Sequence, residues 1–156
     1  MKKVVVFGAS GNTGTYFVKY FLEDNSDKDY EVVAVGTRET QKFDELGVTY
    51  YQGDIPKDVY AVVDLAGAMP ARMKGYDPQY YIDVNITGNL NILEYCRKNH
   101  ADRILFAQSF GDIKDYGETE LVLKADMPRK FSFASDHTIY VLTKNFMVDK
   151  IGRASC

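Results

Sequence analysis

Three glycines at three-residue intervals, Gly8, Gly11 and Gly14, separate an apolar run, Val4 to Phe7, from an amphipathic stretch. No other feature restricts the fold of this chain as much. An apolar strand stops at Gly8, and a helix is expected to start within the next few residues. Glycine at such a turn lets the backbone bend tightly and approach a pyrophosphate with no Cβ in the way. The free N–H groups and the positive end of the following helix then favour phosphate charge. Gly14, one helical turn in, lets helix and strand pack closely. A glycine-rich turn with no ligand is the competing reading. The Val-rich strand before the loop and the helix after it favour the ligand.

The remaining sequence alternates strand and helix signals. Val4 to Phe7 is a continuous apolar run, suited to a strand covered on both faces. Phe17, Val18, Phe21 and Leu22 recur at helical spacing over residues 13 to 23. A polar loop spans Asp24 to Asp29, and Val32 to Val35 is a second buried strand. Phe43 and Leu46 predict a short helix ended by Gly47. Val48 to Tyr51 and Tyr60 to Leu65 predict a third and a fourth strand. Asp77-Pro78 has the form of an N-cap followed by proline at the first helical position. In the long helix that follows, Ile82, Ile86, Leu90 and Leu93 predict one buried stripe. Arg103 to Ala107 predicts a fifth strand, and residues 137 to 150 a last amphipathic helix through Ile139, Tyr140, Thr143, Phe146 and Met147. This alternation means parallel βαβ units: an α/β fold with a doubly wound parallel sheet.

Composition removes several classes of function. The 156 residues make about one domain. The net charge of −3 gives no electrostatic case for nucleic acid or an anionic membrane. No apolar run approaches membrane-spanning length, and Met1-Lys2-Lys3 leads into a strand too short for a signal-peptide core. Cys96 and Cys156 have no metal-ligand spacing and make no disulfide framework. The expectation is a cytoplasmic protein without a metal.

Several motifs, in one order, resemble those of the extended short-chain dehydrogenase/reductases, the NAD-dependent epimerase/dehydratase family. The resemblance runs from Lys3 to about Lys150. Gly8-x-x-Gly11-x-x-Gly14 has the family's spacing. Gly53-Asp54 resembles its adenine-contacting aspartate, and Asp64-Leu65-Ala66-Gly67 the segment lining the adenine-ribose side of the cofactor. Val84-Asn85-Ile86-Thr87-Gly88-Asn89-Leu90 resembles the asparagine-containing stretch of the central helix. Leu105-Phe106-Ala107-Gln108-Ser109 ends where the family places a catalytic serine or threonine, and Tyr140-Val141-Leu142-Thr143-Lys144 carries its tyrosine-xxx-lysine pair.

The resemblance implies a Rossmann-like sheet of about five strands, order 3-2-1-4-5, with helices on both faces. It implies that Gly8, Ser10, Gly11, Asn12, Thr13, Gly14, Thr37, Arg38, Asp54, Leu65, Ala66, Gly67, Tyr140 and Lys144 contact a nicotinamide dinucleotide. Ser109, Tyr140 and Lys144 are the implied catalytic set, acting on a sugar or nucleotide-sugar through a keto intermediate. Pairing of the central and tyrosine-xxx-lysine helices across a homodimer is also implied.

The residue types support that chemistry. Tyr140 and Lys144 are four apart on a predicted helix and so share a face. A phenol is a poor base at neutral pH, but a nearby ammonium favours its ionised form and makes proton exchange with a hydroxyl feasible. Lys144 also stands where the family's lysine hydrogen-bonds the nicotinamide ribose. Ser109 follows a parallel strand at its carboxyl end, where such sheets bind ligands. A half-buried tyrosine on an amphipathic helix is the competing reading of the pair, and the upstream glycine loop and strand-end serine outweigh it. His137 reads as a capping or solvated residue before a substrate contact, and Asn85 as structural.

Cofactor choice falls at the end of the second strand. A carboxylate there would bind the adenosine ribose diol and repel a 2′-phosphate. The chain reads Val35-Gly36-Thr37-Arg38-Glu39, so Arg38 and Thr37 favour NADP over NAD. Glu39, reaching the diol, keeps NAD open, as does an Arg38 that is solvated or stacked on adenine.

Two departures from the family stand out. Between Gly53 and Tyr60 there is no room for a crossover helix. The family also continues well past the tyrosine-xxx-lysine helix into a substrate domain. Residues 151 to 156, Ile-Gly-Arg-Ala-Ser-Cys, fit no family pattern and can be read as ATC GGA AGA GCG TCG TGT, a sequencing adaptor. The expectation is a dinucleotide-binding domain over residues 1–150, a non-native tail over 151–156, and no substrate domain, so that this chain alone is inactive. The alternatives are a non-catalytic dinucleotide-binding sensor or interaction module, and a reductase of a non-sugar carbonyl.

Overall fold

Val4 to Phe7 occupy the middle of a sheet, where an unbroken apolar run can be covered from both sides. The computed structural model describes residues 1–24, 29–70, 76–109 and 138–154. In it, β1 (Lys2–Phe7) is flanked by β2 (Tyr30–Val35) and β4 (Ala61–Asp64). Two short strands, β3 (Tyr50–Tyr51) and β5 (Arg103–Phe106), form the edges. All pairings are parallel, in the order β3-β2-β1-β4-β5, as expected. Val4 lies opposite Val32 and Ala61, and Phe7 opposite Val35 and Asp64. The chain divides into two compact units, Met1–Ala66 with Leu90–Ala107 and Gly67–Asn89 with Gln108–Cys156. The sheet lies in the first.

Successive strand residues point to opposite faces, so the apolar run feeds two cores. Val4, Val6, Val32, Ala34 and Val63 pack with Phe43 and with Phe17, Val18 and Phe21 of α1 (Asn12–Asp24). Val5, Phe7, Val33, Val35 and Val62 pack with Val59 and with Ile92 and Tyr95 of α3 (Asn89–Lys98). Helices thus cover both faces, as a doubly wound sheet requires. Full burial of each valine stabilises the fold by about 1.5–2 kcal/mol.

Three local expectations change. The short helix over Phe43 and Leu46 is instead a string of turns. Asp44, Leu46 and Gly47 donate to the carbonyls of Gln41, Phe43 and Asp44, each three residues back. Two apolar anchors in so short a segment do not offset the cost of nucleating an α-helix. The third strand keeps two residues of its expected four, and the fourth shortens to Ala61–Asp64. Over residues 52–60 there is no helix, as expected. There Ile55 and Val59 pack against the sheet, and the Tyr95 hydroxyl donates to the Pro56 carbonyl at 2.5 Å.

In the second unit α2 (Pro78–Ile82) starts where the sequence signal places it, with the Asp77 carboxylate accepting from the Tyr80 N–H at 3.1 Å. A π turn, Asp83–Gly88, follows. The expected stripe of Ile82, Ile86, Leu90 and Leu93 is not the buried one. Tyr81, Asn85, Asn89 and Ile92 are buried, while Ile82 is 37% and Leu90 38% exposed. Inward-facing hydrogen bonds of Asn85 and the packing of the Tyr81 ring on Tyr140 (centroids 6.0 Å apart) set the facing. Apolar periodicity does not register either. The last helix, α4 (Thr138–Ala154), continues four residues past its expected end. His137 and most of the Asp24–Asp29 loop lie outside the described residues.

Candidate functional site

In the first unit the turn after β1 is shaped by what its glycines lack. Gly8 has φ +72°, a conformation that favours glycine, and a Cβ there would lie 2.7 Å from the Ala66 backbone nitrogen and the Leu65 carbonyl carbon. A Cβ on Gly14 would overlap the Gly8 carbonyl and come within 2.6 Å of the Ala9 Cα. These two glycines bring strand, loop and helix together. Gly11 differs, because a Cβ there would meet the Gly8 carbonyl at 3.1 Å and no other described atom within 4 Å. Its outer side is open.

Hydrogen bonds fix the turn. Gly11 N–H donates to Gly8 at 3.0 Å, and the Thr15 hydroxyl donates to the carbonyls of Ala9 and Gly11. Thr15 N–H, donating to Gly11 at 2.9 Å, makes the first bond of α1. The N–H groups of Asn12, Thr13 and Gly14 precede it, at the positive end of the helix, where an anion is favoured. Gly11, beside them, meets no other described atom on that side.

The other expected contacts of this unit follow the carboxyl ends of neighbouring strands, where ligands of such sheets bind. Thr37 and Arg38 are exposed after β2, and Asp54 is exposed after β3. Leu65 and Ala66 follow β4 and touch the glycine turn: Leu65 N–H donates to the Phe7 carbonyl at 3.1 Å, and Ala66 N–H to the buried Asp64 carboxylate at 3.0 Å. Ser10 lies beside Gly36, its hydroxyl 2.7 Å from where a Gly36 Cβ would stand.

The second unit holds the acid–base candidates. Tyr140 is half-buried and Lys144, one turn further along α4, is 6% exposed. The Lys144 ammonium lies 3.1 Å from the position a Gly67 Cβ would take, with the Asn85 Oδ1 3.3 Å from the same point. So the structure brings together Gly67, Asn85 and Lys144. Asn85 is fully buried and fully used. Its Oδ1 accepts from Ala68 N–H at 2.7 Å, and its Nδ2 donates to the Ala68 carbonyl and to the Thr143 hydroxyl. That is the structural role expected of it, extended to α4. Ser109 is half-buried beyond the end of β5. Its neighbour Gln108 donates to Asn145, the residue after Lys144, at 3.1 Å.

Sequence reasoning missed Tyr50 and Gln52. The Tyr50 hydroxyl donates to the Arg38 carbonyl at 2.6 Å, and the Gln52 amide to the Thr37 carbonyl at 3.3 Å. Their two-residue spacing at the end of the third strand, which places both side chains on one side of the chain, was the available signal. Among the described residues, no group of His, Cys, Asp and Glu could hold a metal ion, and no helix is long and apolar enough to cross a membrane.

The family model described as the NAD dependent epimerase/dehydratase family matches residues 4–149. A Methanocaldococcus jannaschii protein, named provisionally as a UDP-glucose 4-epimerase, is 30% identical over 127 residues, covering 74% of this chain and 40% of its own length. Among solved structures, the UDP-Glc/GlcNAc 4-epimerase of Campylobacter jejuni superposes with a TM-score of 0.78 at 17% identity, over 99% of this chain and 49% of that one. The UDP-glucose 4-epimerase of Thermus thermophilus, in complex with NAD, gives 0.70 at 23% identity, over 94% and 50%. At these identities the superpositions carry the fold alone. The chain spans about half the length of the proteins it matches, or less.

Proposed function

The chain belongs to the NAD-dependent epimerase/dehydratase family, and we propose that it is the dinucleotide-binding part of an oxidoreductase acting on a nucleotide-linked sugar. The observation that carries this reading is the burial of Lys144, with its ammonium against Gly67 and its helix placing Tyr140 one turn away. Lysine is seldom fully buried, and a non-catalytic dinucleotide sensor has no need of it there.

In this reading the glycine turn and the first N–H groups of α1 hold the pyrophosphate. Thr37, Arg38, Asp54, Leu65, Ala66 and Gly67 line the adenosine side. A nicotinamide bound there would supply hydride transfer. Tyr140 takes the proton of a substrate hydroxyl as it becomes a ketone and returns it later. Lys144 stabilises the charge left on the phenolic oxygen and binds the nicotinamide ribose. Ser109 donates to the substrate oxygen as charge shifts onto it. Names of the matched proteins favour a UDP-sugar as substrate over a non-sugar carbonyl.

The dinucleotide is read as NAD. The family description and the NAD bound by the T. thermophilus protein favour it, and neither supports the NADP preference drawn from Arg38. A homodimer joined through the central helix is consistent with the exposed Ile82 and Leu90 on it.

The test is a fluorescence titration of the chain with NADH and with NADPH at fixed salt. Saturable binding of NADH, weakened at least tenfold by Lys144→Met with the fold retained, is expected. Tighter NADPH binding that Arg38→Ala abolishes would restore the 2′-phosphate reading. Binding of neither by the folded chain would refute the proposal.

A further inference from the structure

The carbonyls of Thr37 and Arg38 are held from the neighbouring strand by side chains, where a backbone ladder would ordinarily do it. The β2–β3 ladder runs through Ala34 N–H to Thr49 (3.0 Å) and Gly36 N–H to Tyr51 (3.1 Å). One residue further, the Gln52 amide donates to the Thr37 carbonyl, and the Tyr50 hydroxyl to the Arg38 carbonyl. The second bond exists because residue 36 is glycine: a Cβ there would overlap the Tyr50 hydroxyl and lie 2.7 Å from the Ser10 hydroxyl. The phenol is held in turn by its ring, which stacks on the fully buried Phe43 with centroids 5.2 Å apart and planes 13° from parallel.

We propose that Tyr50, assisted by Gln52, is a positioning residue for cofactor selection: by fixing the Thr37–Arg38 backbone it directs the Arg38 side chain at the 2′ position of the adenosine ribose. The proposal rests on the dinucleotide reading above. Arg38 is exposed, and an arginine on an unpinned loop would sample many directions and discriminate poorly. A backbone held at two consecutive carbonyls removes the loop's share of that freedom before binding, so less is lost when the guanidinium engages. A guanidinium held at that position attracts a 2′-phosphate more than a neutral diol, so the pin favours NADPH relative to an unpinned Arg38, whichever dinucleotide binds more tightly.

Tyr50→Phe removes the hydroxyl and keeps the stack on Phe43, so the variant retains the thermal midpoint of the fold to within a few degrees. The ratio of the NADPH to the NADH dissociation constant is expected to rise by about fivefold, the worth of one hydrogen bond, because the guanidinium loses its hold on a 2′-phosphate. Gln52→Ala should move it in the same direction by less. Combined with Arg38→Ala, Tyr50→Phe should add nothing further, since it works through that side chain. A purely structural tyrosine would weaken both dinucleotides alike and leave the ratio unchanged, and that result overturns the proposal. An additive double variant overturns it too. If folded wild-type chain binds neither dinucleotide, the function proposed above falls, and this inference with it. An unchanged ratio with binding intact removes this inference alone.

Discussion

The Asn85 Nδ2 donates to the Thr143 hydroxyl across 3.1 Å, joining the π turn to α4 between residues 58 positions apart in the chain. The same amide bonds both backbone groups of Ala68, and Thr143 in turn donates to the Tyr140 carbonyl at 2.8 Å. One buried side chain therefore ties the Gly67–Ala68 segment to the helix that carries Tyr140 and Lys144. Asn85→Ala is expected to cost about 2–4 kcal/mol, because it leaves buried donors and acceptors unpaired. Thr143→Val, which keeps the shape and loses the hydroxyl, should cost about 1 kcal/mol. Urea denaturation measures both. An unchanged midpoint for Asn85→Ala would contradict the arrangement.

The three loop glycines should respond differently to alanine. Gly8→Ala and Gly14→Ala drive a Cβ into backbone atoms, at Gly8 with an added cost for φ +72°, and each should destabilise by about 2–4 kcal/mol. Gly11→Ala meets one carbonyl at 3.1 Å and should cost under about 1 kcal/mol. It should nonetheless weaken NADH binding, because the added methyl occupies the open side. Thermal melts and the fluorescence titration separate these effects. Equal stability loss at all three positions would be inconsistent with the geometry.

Cys96 makes stability fall at alkaline pH. Burial first, and then the Asp64 carboxylate, push its thiol from 9.0 up to about 11. The folded chain thus keeps a proton that the unfolded chain releases. The contribution is complete below pH 9 and is lost as the pH rises toward 11. Tyr95, pushed by burial from 10.0 to about 12, extends the loss above pH 10. Denaturation midpoints should decline from pH 9 upward, and Cys96→Ala should flatten the decline between pH 9 and 10.

His100 is strained for a useful reason. The end of α3 closes with Ala101 N–H donating to Cys96 at 3.0 Å and His100 N–H to Arg97 at 3.4 Å, the double bond pattern that places the residue after the helix in the left-handed region. His100 sits there at φ 52°. His100→Gly should raise stability by about 0.5–1 kcal/mol, read from the urea midpoint, whereas a loss would mean that the imidazole carries a compensating contact.

Much of this architecture is written locally. The apolar run Val4–Phe7, the glycine turn after it and the Asp77-Pro78 helix start are each set by a few adjacent residues, through burial, φ preference and capping, so the sequence alone determined them. Alternating strands and helices with right-handed crossovers then leave few strand orders to choose from. What tertiary structure decided depends on partners distant in the chain. The central helix turns Tyr81, Asn85 and Asn89 inward, against its apolar periodicity, because Ala68 and Thr143 are there to satisfy Asn85. Lys144 is buried because Gly67 leaves it room. Tyr50 and Gln52 reach the Arg38 and Thr37 carbonyls across 12 and 15 residues of chain, an arrangement that exists once β3 lies beside β2 and Gly36 offers no side chain in the way. Periodicity and turn chemistry act within a few residues, whereas a buried hydrogen bond needs both its ends, and folding alone supplies the second.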